Sequence, residues 1–211
     1  MKKLLLLLSL IASSFSTLAD GCFTEYLKDA PSNNFENTIK ICTPLAQSGD
    51  VWSQEILGGM YYKTENYKEA FKWTKKAAEQ GFAPAQLKLG LLYETGKGTL
   101  PNYKEAIKWY KKSAVQGNID AQNNMGLMYE MGMGVLQNYQ VSASWYKKAA
   151  NSGSATAKMN LGIYYCEGLG VKKNLAMAKS LLSEAYESGE FSPGKQNFIE
   201  GIWERCGLAN Y

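Results

Sequence analysis

The sequence predicts an all-α array of stacked helix-turn-helix units, and three observations predict it. Glycines recur at Gly81, Gly117, Gly153 and Gly189, 36 residues apart, and asparagines keep that interval at Asn66, Asn102, Asn138 and Asn174. The series Trp73, Trp109 and Trp145, ending in Leu181, keeps it a third time. A fixed period of this length belongs to supersecondary units that cannot bury their apolar faces alone and do so by stacking.

The chain opens MKKLLLLLSLIASSFSTLA: two lysines, an apolar run from Leu4 to Ile11, then small residues. This is the pattern of a secretory signal peptide over residues 1–19. Thr17 and Ala19 suit the positions before a cleavage site, so the mature chain is expected to start at Asp20 and to reside in a bacterial periplasm. A lipid-anchored reading would use Cys22, but the preceding Ala19, Asp20 and Gly21 lack the leucine a lipobox carries three residues upstream. No other apolar run is long enough to span a membrane. Roughly 190 residues remain, enough to bury about 70% of the unfolded surface. The formal charge of +4 falls to +2 when Lys2 and Lys3 leave, too weak and dispersed to indicate nucleic acid as a partner.

Residues 20–49 read as an incomplete leading hairpin, with Asn34 in a helix-capping position and Phe35 after it. Four units follow at 50–81, 82–117, 118–153 and 154–189. The first is four residues short because its link, KTENYKEA, lacks a Gly-x-Gly loop. In the unit 82–117, helix A is expected from Pro84 to Thr95, with Ala85, Leu89 and Tyr93 at helical spacing on one face. Gly90, which recurs at Gly58, Gly126 and Gly162, costs about 1 kcal/mol inside a helix, so a neighbouring backbone is expected to pass too close for a side chain. Gly96-Lys97-Gly98 then breaks the helix; without a preceding strand it reads as a turn, not a phosphate cradle. Helix B starts behind Asn102 as N-cap, with Glu105 completing a capping box, as Asn66 and Glu69 do one unit earlier. Ala106, Trp109 and Ser113 are expected to face the core, and Lys111 and Lys112 suit the negative end of the helix dipole. A Ser-Pro-Gly break at Ser192–Gly194 precedes a final helix, Gln196 to Cys206, so residues 190–211 form a second cap.

Export makes disulfides the default for the four cysteines. Cys22 and Cys42 lie ten residues either side of Ser32, in the turn-like APSNN, so two helices hinged there would bring them face to face. Cys166 and Cys206 flank the last unit. The pairs 22–42 and 166–206 are expected, the other two connectivities being open, with about 3 kcal/mol from each bridge.

The series A-x3-LG-x2-Y-x2-G-x-G followed by N-x3-A-x2-W-x3-(A/S)-x3-G resembles the Sel-1-like repeats, cousins of the tetratricopeptide repeats. Ala85, Leu89, Gly90, Tyr93, Gly96, Gly98, Ala106, Trp109 and Gly117 carry it, and Ala121, Met125, Gly126, Tyr129, Gly132, Gly134, Trp145 and Gly153 carry it again. Ser142 in place of alanine and Leu181 in place of tryptophan depart from it. The resemblance implies a right-handed α-α superhelix, or solenoid, whose A helices line a concave groove that holds another macromolecule. It also implies, for some periplasmic members, an immunity protein that neutralises a lipase toxin of type VI secretion.

With the A helices lining that groove, the candidate partner-binding residues are those whose identity changes between units while their neighbours do not: Trp52, Glu55 and Tyr62; Leu87, Leu91 and Glu94; Asn123, Leu127 and Glu130; Met159 and Ile163. Scaffold positions are pinned by packing, whereas a binding surface is free to individualise. The chain has no histidine, which removes the commonest general base and zinc ligand, so neither catalytic residues, a metal site nor a cofactor is expected. The expected partner is a protein, a secreted lipase toxin being the sharpest version. A cell-wall or β-lactam hydrolase working through Glu94 and Glu130, or a structural scaffold of an envelope complex, is the alternative.

Overall fold

The computed structural model describes residues 21–32 and 34–208; the expected leader lies outside them. Among the described residues every regular element is a helix. They divide into two compact units, one ending at Asn102 and one starting at Tyr103.

The N-terminal unit holds α1 (21–29), α2 (Glu36–Gln47), α3 (Val51–Lys63), α4 (Tyr67–Glu79) and α5 (Ala83–Thr95). Successive helices from α2 to α5 pack on one another. Cys22 and Cys42 are bonded, with Cα atoms 5.0 Å apart, inside a core of Phe35, Leu45, Leu57, Met60 and Trp73. Asn34 Oδ1 accepts from Glu36 N at 3.3 Å. The deeper cap of α2 comes from Asp29 at the end of α1, which accepts from both Thr38 N (2.9 Å) and Thr38 Oγ1 (2.7 Å) out of solvent. Of the expected capping box at α4, Asn66 Oδ1 accepts from Glu69 N, while the Glu69 carboxylate is held by Lys72.

The C-terminal unit holds α6 (Tyr103–Val115), α7 (Ile119–Met131), α8 (Tyr139–Asn151), α9 (Ala155–Glu167), α10 (Leu175–Glu187) and α11 (Pro193–Arg205). Neighbours pack pairwise, and Cys166 is bonded to Cys206 with Cα atoms 6.0 Å apart. α11 begins three residues before the expected Gln196: Pro193 starts the helix instead of breaking the chain, since its fixed φ and missing N–H cost nothing at a helix start.

Two glycine series explain the repeat. Gly98, Gly134 and Gly170 have φ of 76°, 71° and 63°, a left-handed conformation that side chains resist. A Cβ on them would also lie 2.0 Å from Tyr67 O, 2.8 Å from Tyr103 C and 2.2 Å from Tyr139 C. Each loop therefore rests on the first residue of the B helix before it. For the helical glycines the close approach is confirmed, but the nearest neighbour is a side chain rather than backbone. A Cβ on Gly58 would lie 2.5 Å from Thr74 Oγ1, on Gly126 2.5 Å from Tyr146 Cε1, and on Gly162 2.7 Å from Leu182 Cγ.

Those neighbours all follow the tryptophan position, and they correct its reading. Thr74, Tyr110, Tyr146 and Leu182 are fully buried, whereas Trp109 is only half-buried, although Ala106 and Ser113 face the core as expected. A second buried series also went unread: Gln54, Gln86 and Gln122 donate Nε2 to Ala46 O (2.9 Å), Ala78 O (3.2 Å) and Ala114 O (3.1 Å). Each glutamine satisfies a carbonyl in the last turn of the preceding helix, which the helix leaves without an internal partner.

Candidate partner-binding site

In the N-terminal unit the candidate residues share the faces of α3 and α5. Trp52 is 59% exposed and held edge-on by Phe82, ring centroids 4.7 Å apart. Glu55, half-buried, is paired with Lys88 of the next A helix; its Oε2 is buried without a hydrogen bond. Leu87, Leu91 and Glu94 are half-buried on α5. Tyr62 turns toward the loop: its hydroxyl accepts from Lys97 Nζ at 3.0 Å, and that ammonium lies 4.6 Å from the ring centroids of both Tyr62 and Tyr67. The two phenols hold the Lys97 ammonium above its usual pKa. Lys97, the middle residue of the Gly-x-Gly turn, went unassigned because such a turn reads as backbone geometry alone.

The C-terminal unit treats the same positions differently. Leu127 is 38% exposed, but Asn123 donates Nδ2 to Ser154 Oγ at 2.8 Å, bracing the residue that caps α9. Glu130 accepts from Tyr146 Oη at 2.6 Å. Beside it Ser142 Oγ donates to Gly126 O (2.8 Å) and lies 2.9 Å from Tyr164 Oη, which leaves the Tyr164 hydroxyl to donate to it. Burial first, and the Glu130 carboxylate second, push the Tyr146 phenol far above its ordinary pKa; burial does the same to Tyr164. Ser142, the departure from alanine in the sequence, thus anchors a polar network between α7, α8 and α9.

Met159 is a correction. It is 6% exposed, in a core with Ala178, Leu182, Ile199 and Ile202, and Ile163 packs against the same cluster. The final helix, tied by Cys166–Cys206 and by Arg205 to Glu167 at 2.7 Å, covers the face that would otherwise continue the exposed row. Among the described residues no group of three or more acidic, cysteine or histidine side chains is placed to hold a metal. Nor is any described helix long and apolar enough to cross a membrane.

The Sel1 repeat profile matches residues 55–82, 83–118, 119–154 and 155–190. The chain belongs to the Sel1 repeat family. Among solved structures it is similar to a Sel1 repeat protein from Oxalobacter formigenes, with 34% identity and a TM-score of 0.71 over 78% of this chain and 70% of that one. It is also similar to a protective antigen of uropathogenic Escherichia coli strains that displays an SLR fold, with 32% identity and a TM-score of 0.77 over 89% of this chain but 42% of that one. A Sel1 repeat protein from Klebsiella pneumoniae, 17% identical with a TM-score of 0.54 over 92% of this chain and 98% of that one, shares the fold. No curated protein matches the chain. Sel1 repeats are protein–protein interaction modules, typically non-catalytic, and this chain is an α-α solenoid of that kind.

Proposed function

We propose that the protein is an exported binding module that holds a partner protein against the α3–α5 face of its N-terminal unit. The observation that carries the reading is Trp52, a large aromatic left more than half exposed on a rigid helix and braced by Phe82. Exposed tryptophans on a packed scaffold, ringed by aliphatic and paired charged residues, are where interface energy concentrates. Glu55 paired with Lys88, and the half-buried Leu87 and Leu91 of α5, offer such residues on the same two helices. The two disulfides suit an oxidising compartment, which supports a periplasmic address.

The sharpest version is an immunity protein that neutralises a type VI secretion lipase. A standard interface of about 1,600 Å² would suffice for it. Titrating the oxidised mature protein into a type VI lipase encoded beside its gene should abolish hydrolysis near a one-to-one ratio, and Trp52→Ala should raise the amount needed at least tenfold. Undiminished hydrolysis removes the immunity version. A partner captured equally well by Trp52→Ala removes the α3–α5 face.

A further inference from the structure

The solvent face of α6 is built unlike that of the matching helix α4. Both carry four lysines, but α4 ends on Glu79, which pairs with Lys75 at 3.8 Å. In α6 the corresponding last residue is Val115, 67% exposed, so Lys111 loses the carboxylate one turn further on. Lys104, Lys108, Lys111 and Lys112 are then opposed on the helix by Glu105 alone, which pairs with Lys108. Lys112 Nζ lies 4.0 Å from the centre of the Trp109 ring, and Trp109 keeps more exposure than the buried Trp73 and Trp145. Glu105, Lys108, Trp109, Lys111, Lys112 and Val115 border a shallow cavity of about 400 Å³. Indole, valine and lysine methylenes make it largely apolar, and the charged groups at its border are the lysine ammoniums and the Glu105 carboxylate that pairs with Lys108. Long lysine side chains present such apolar stems while keeping the charge in water.

We infer that this face is a second docking surface, for an acidic segment of a partner protein that inserts one aromatic or branched aliphatic side chain into the Trp109 cavity. The apolar patch is concave and has room for one large side chain, which favours a peptide anchor over a flat lipid surface, and the excess of lysines is complementary to flanking carboxylates. The inference rests on the reading of the chain as a partner-binding module, and it uses a helix face apart from Trp52.

The test is selection of a displayed random peptide library on the oxidised mature protein. Enriched peptides should place aspartate or glutamate around a phenylalanine, tryptophan, leucine or isoleucine, and their affinity should fall steeply with salt. Lys111→Glu with Lys112→Glu, two exposed changes that spare the core, should weaken binding at least tenfold; Trp109→Ala should do the same. Trp52→Ala should leave it within twofold. Absence of an acidic–apolar signature, or equal binding by the lysine double variant, overturns the inference. Loss of the peptides on Trp52→Ala alone overturns it while keeping the proposed α3–α5 site. Binding to phosphatidylglycerol vesicles, lost in the lysine variant and without peptide enrichment, overturns it in favour of a lipid surface.

Discussion

The two units place different chemistry at one register. Where α7 and α8 of the C-terminal unit carry Glu130 and Tyr146, bonded to each other, α3 and α4 of the N-terminal unit carry Tyr62 and Thr74 at the corresponding repeat positions. Glu130 is spent on the Tyr146 hydroxyl, and the phenol fills the space above Gly126. Thr74 packs against Gly58 and is too short to reach as far, and Tyr62 lies toward the loop, where it clasps Lys97. A residue on an outward helical row is thus available to a partner only if the residue packed across from it makes no claim on it. In the N-terminal unit Trp52 stays more than half exposed although Phe82 braces it, whereas the C-terminal unit consumes Glu130 and Asn123 internally and covers Met159.

The largest expected loss of stability comes from the disulfide staples, one in each unit. Replacing Cys166 and Cys206 by serine should cost about 4 kcal/mol, against about 3 kcal/mol for Cys22 and Cys42, because the longer loop frees more unfolded-state entropy. Urea denaturation of the two double variants measures both, and equal losses would show that loop length does not govern them.

Next come the loop glycines. Gly98→Ala and Gly170→Ala should each cost roughly 3 kcal/mol, combining left-handed strain with a clash against backbone that cannot rotate away. Gly153→Ala, with φ of 98° but open space, should cost only about 1–2 kcal/mol. Thermal melts that rank Gly153→Ala with the other two would remove the close-approach account.

Smaller still is the phenol pair. Tyr146→Phe, which removes the Tyr146 hydroxyl from the Glu130 carboxylate, should destabilise by about 1–2 kcal/mol. Tyr62→Phe, whose hydroxyl meets a lysine at the rim, should cost less than about 1 kcal/mol. Comparable losses would mean that the two units are not as different as their hydrogen bonds indicate.

The same phenols set an alkaline limit. The folded pKa values of Tyr146 and Tyr164 are raised, so their contribution is fully present below the unfolded value of about 10 and is lost as pH rises from there toward the folded values. Ultraviolet phenolate titration should show two tyrosines ionising only with unfolding. Replacing both by phenylalanine should flatten the decline in stability above that pH. An unchanged slope would assign it to other groups, such as Tyr61 and Tyr186, whose pKa values are also raised.

Much of the scaffold was legible because its causes are local or strictly periodic. Asn66, Asn138 and Asn174 cap helices through their own next turn, at 3.4, 3.0 and 3.0 Å. The glutamines at Gln54, Gln86 and Gln122 were equally periodic, but a polar residue inside an apolar row reads as solvent-facing until the carbonyl it reaches is known. The residue after each tryptophan went unread for the opposite reason: Thr74, Tyr110, Tyr146 and Leu182 share a position but not a chemistry, so no repeat marks them.

The period, the helices and the left-handed turns could be read from the chain alone, since these follow from residues close in the chain or spaced by one repeat. The cysteine pairing was one of three open connectivities until the folded helices set Cys22 against Cys42 and Cys166 against Cys206. Only the tertiary structure decided which row residues stay free. Trp52 and Leu127 remain outside, Glu130 is claimed by Tyr146, and Met159 lies beneath α11. Exposure on a helix face depends on what packs across it, and at Met159 that neighbour is a terminal cap, which no other repeat contains.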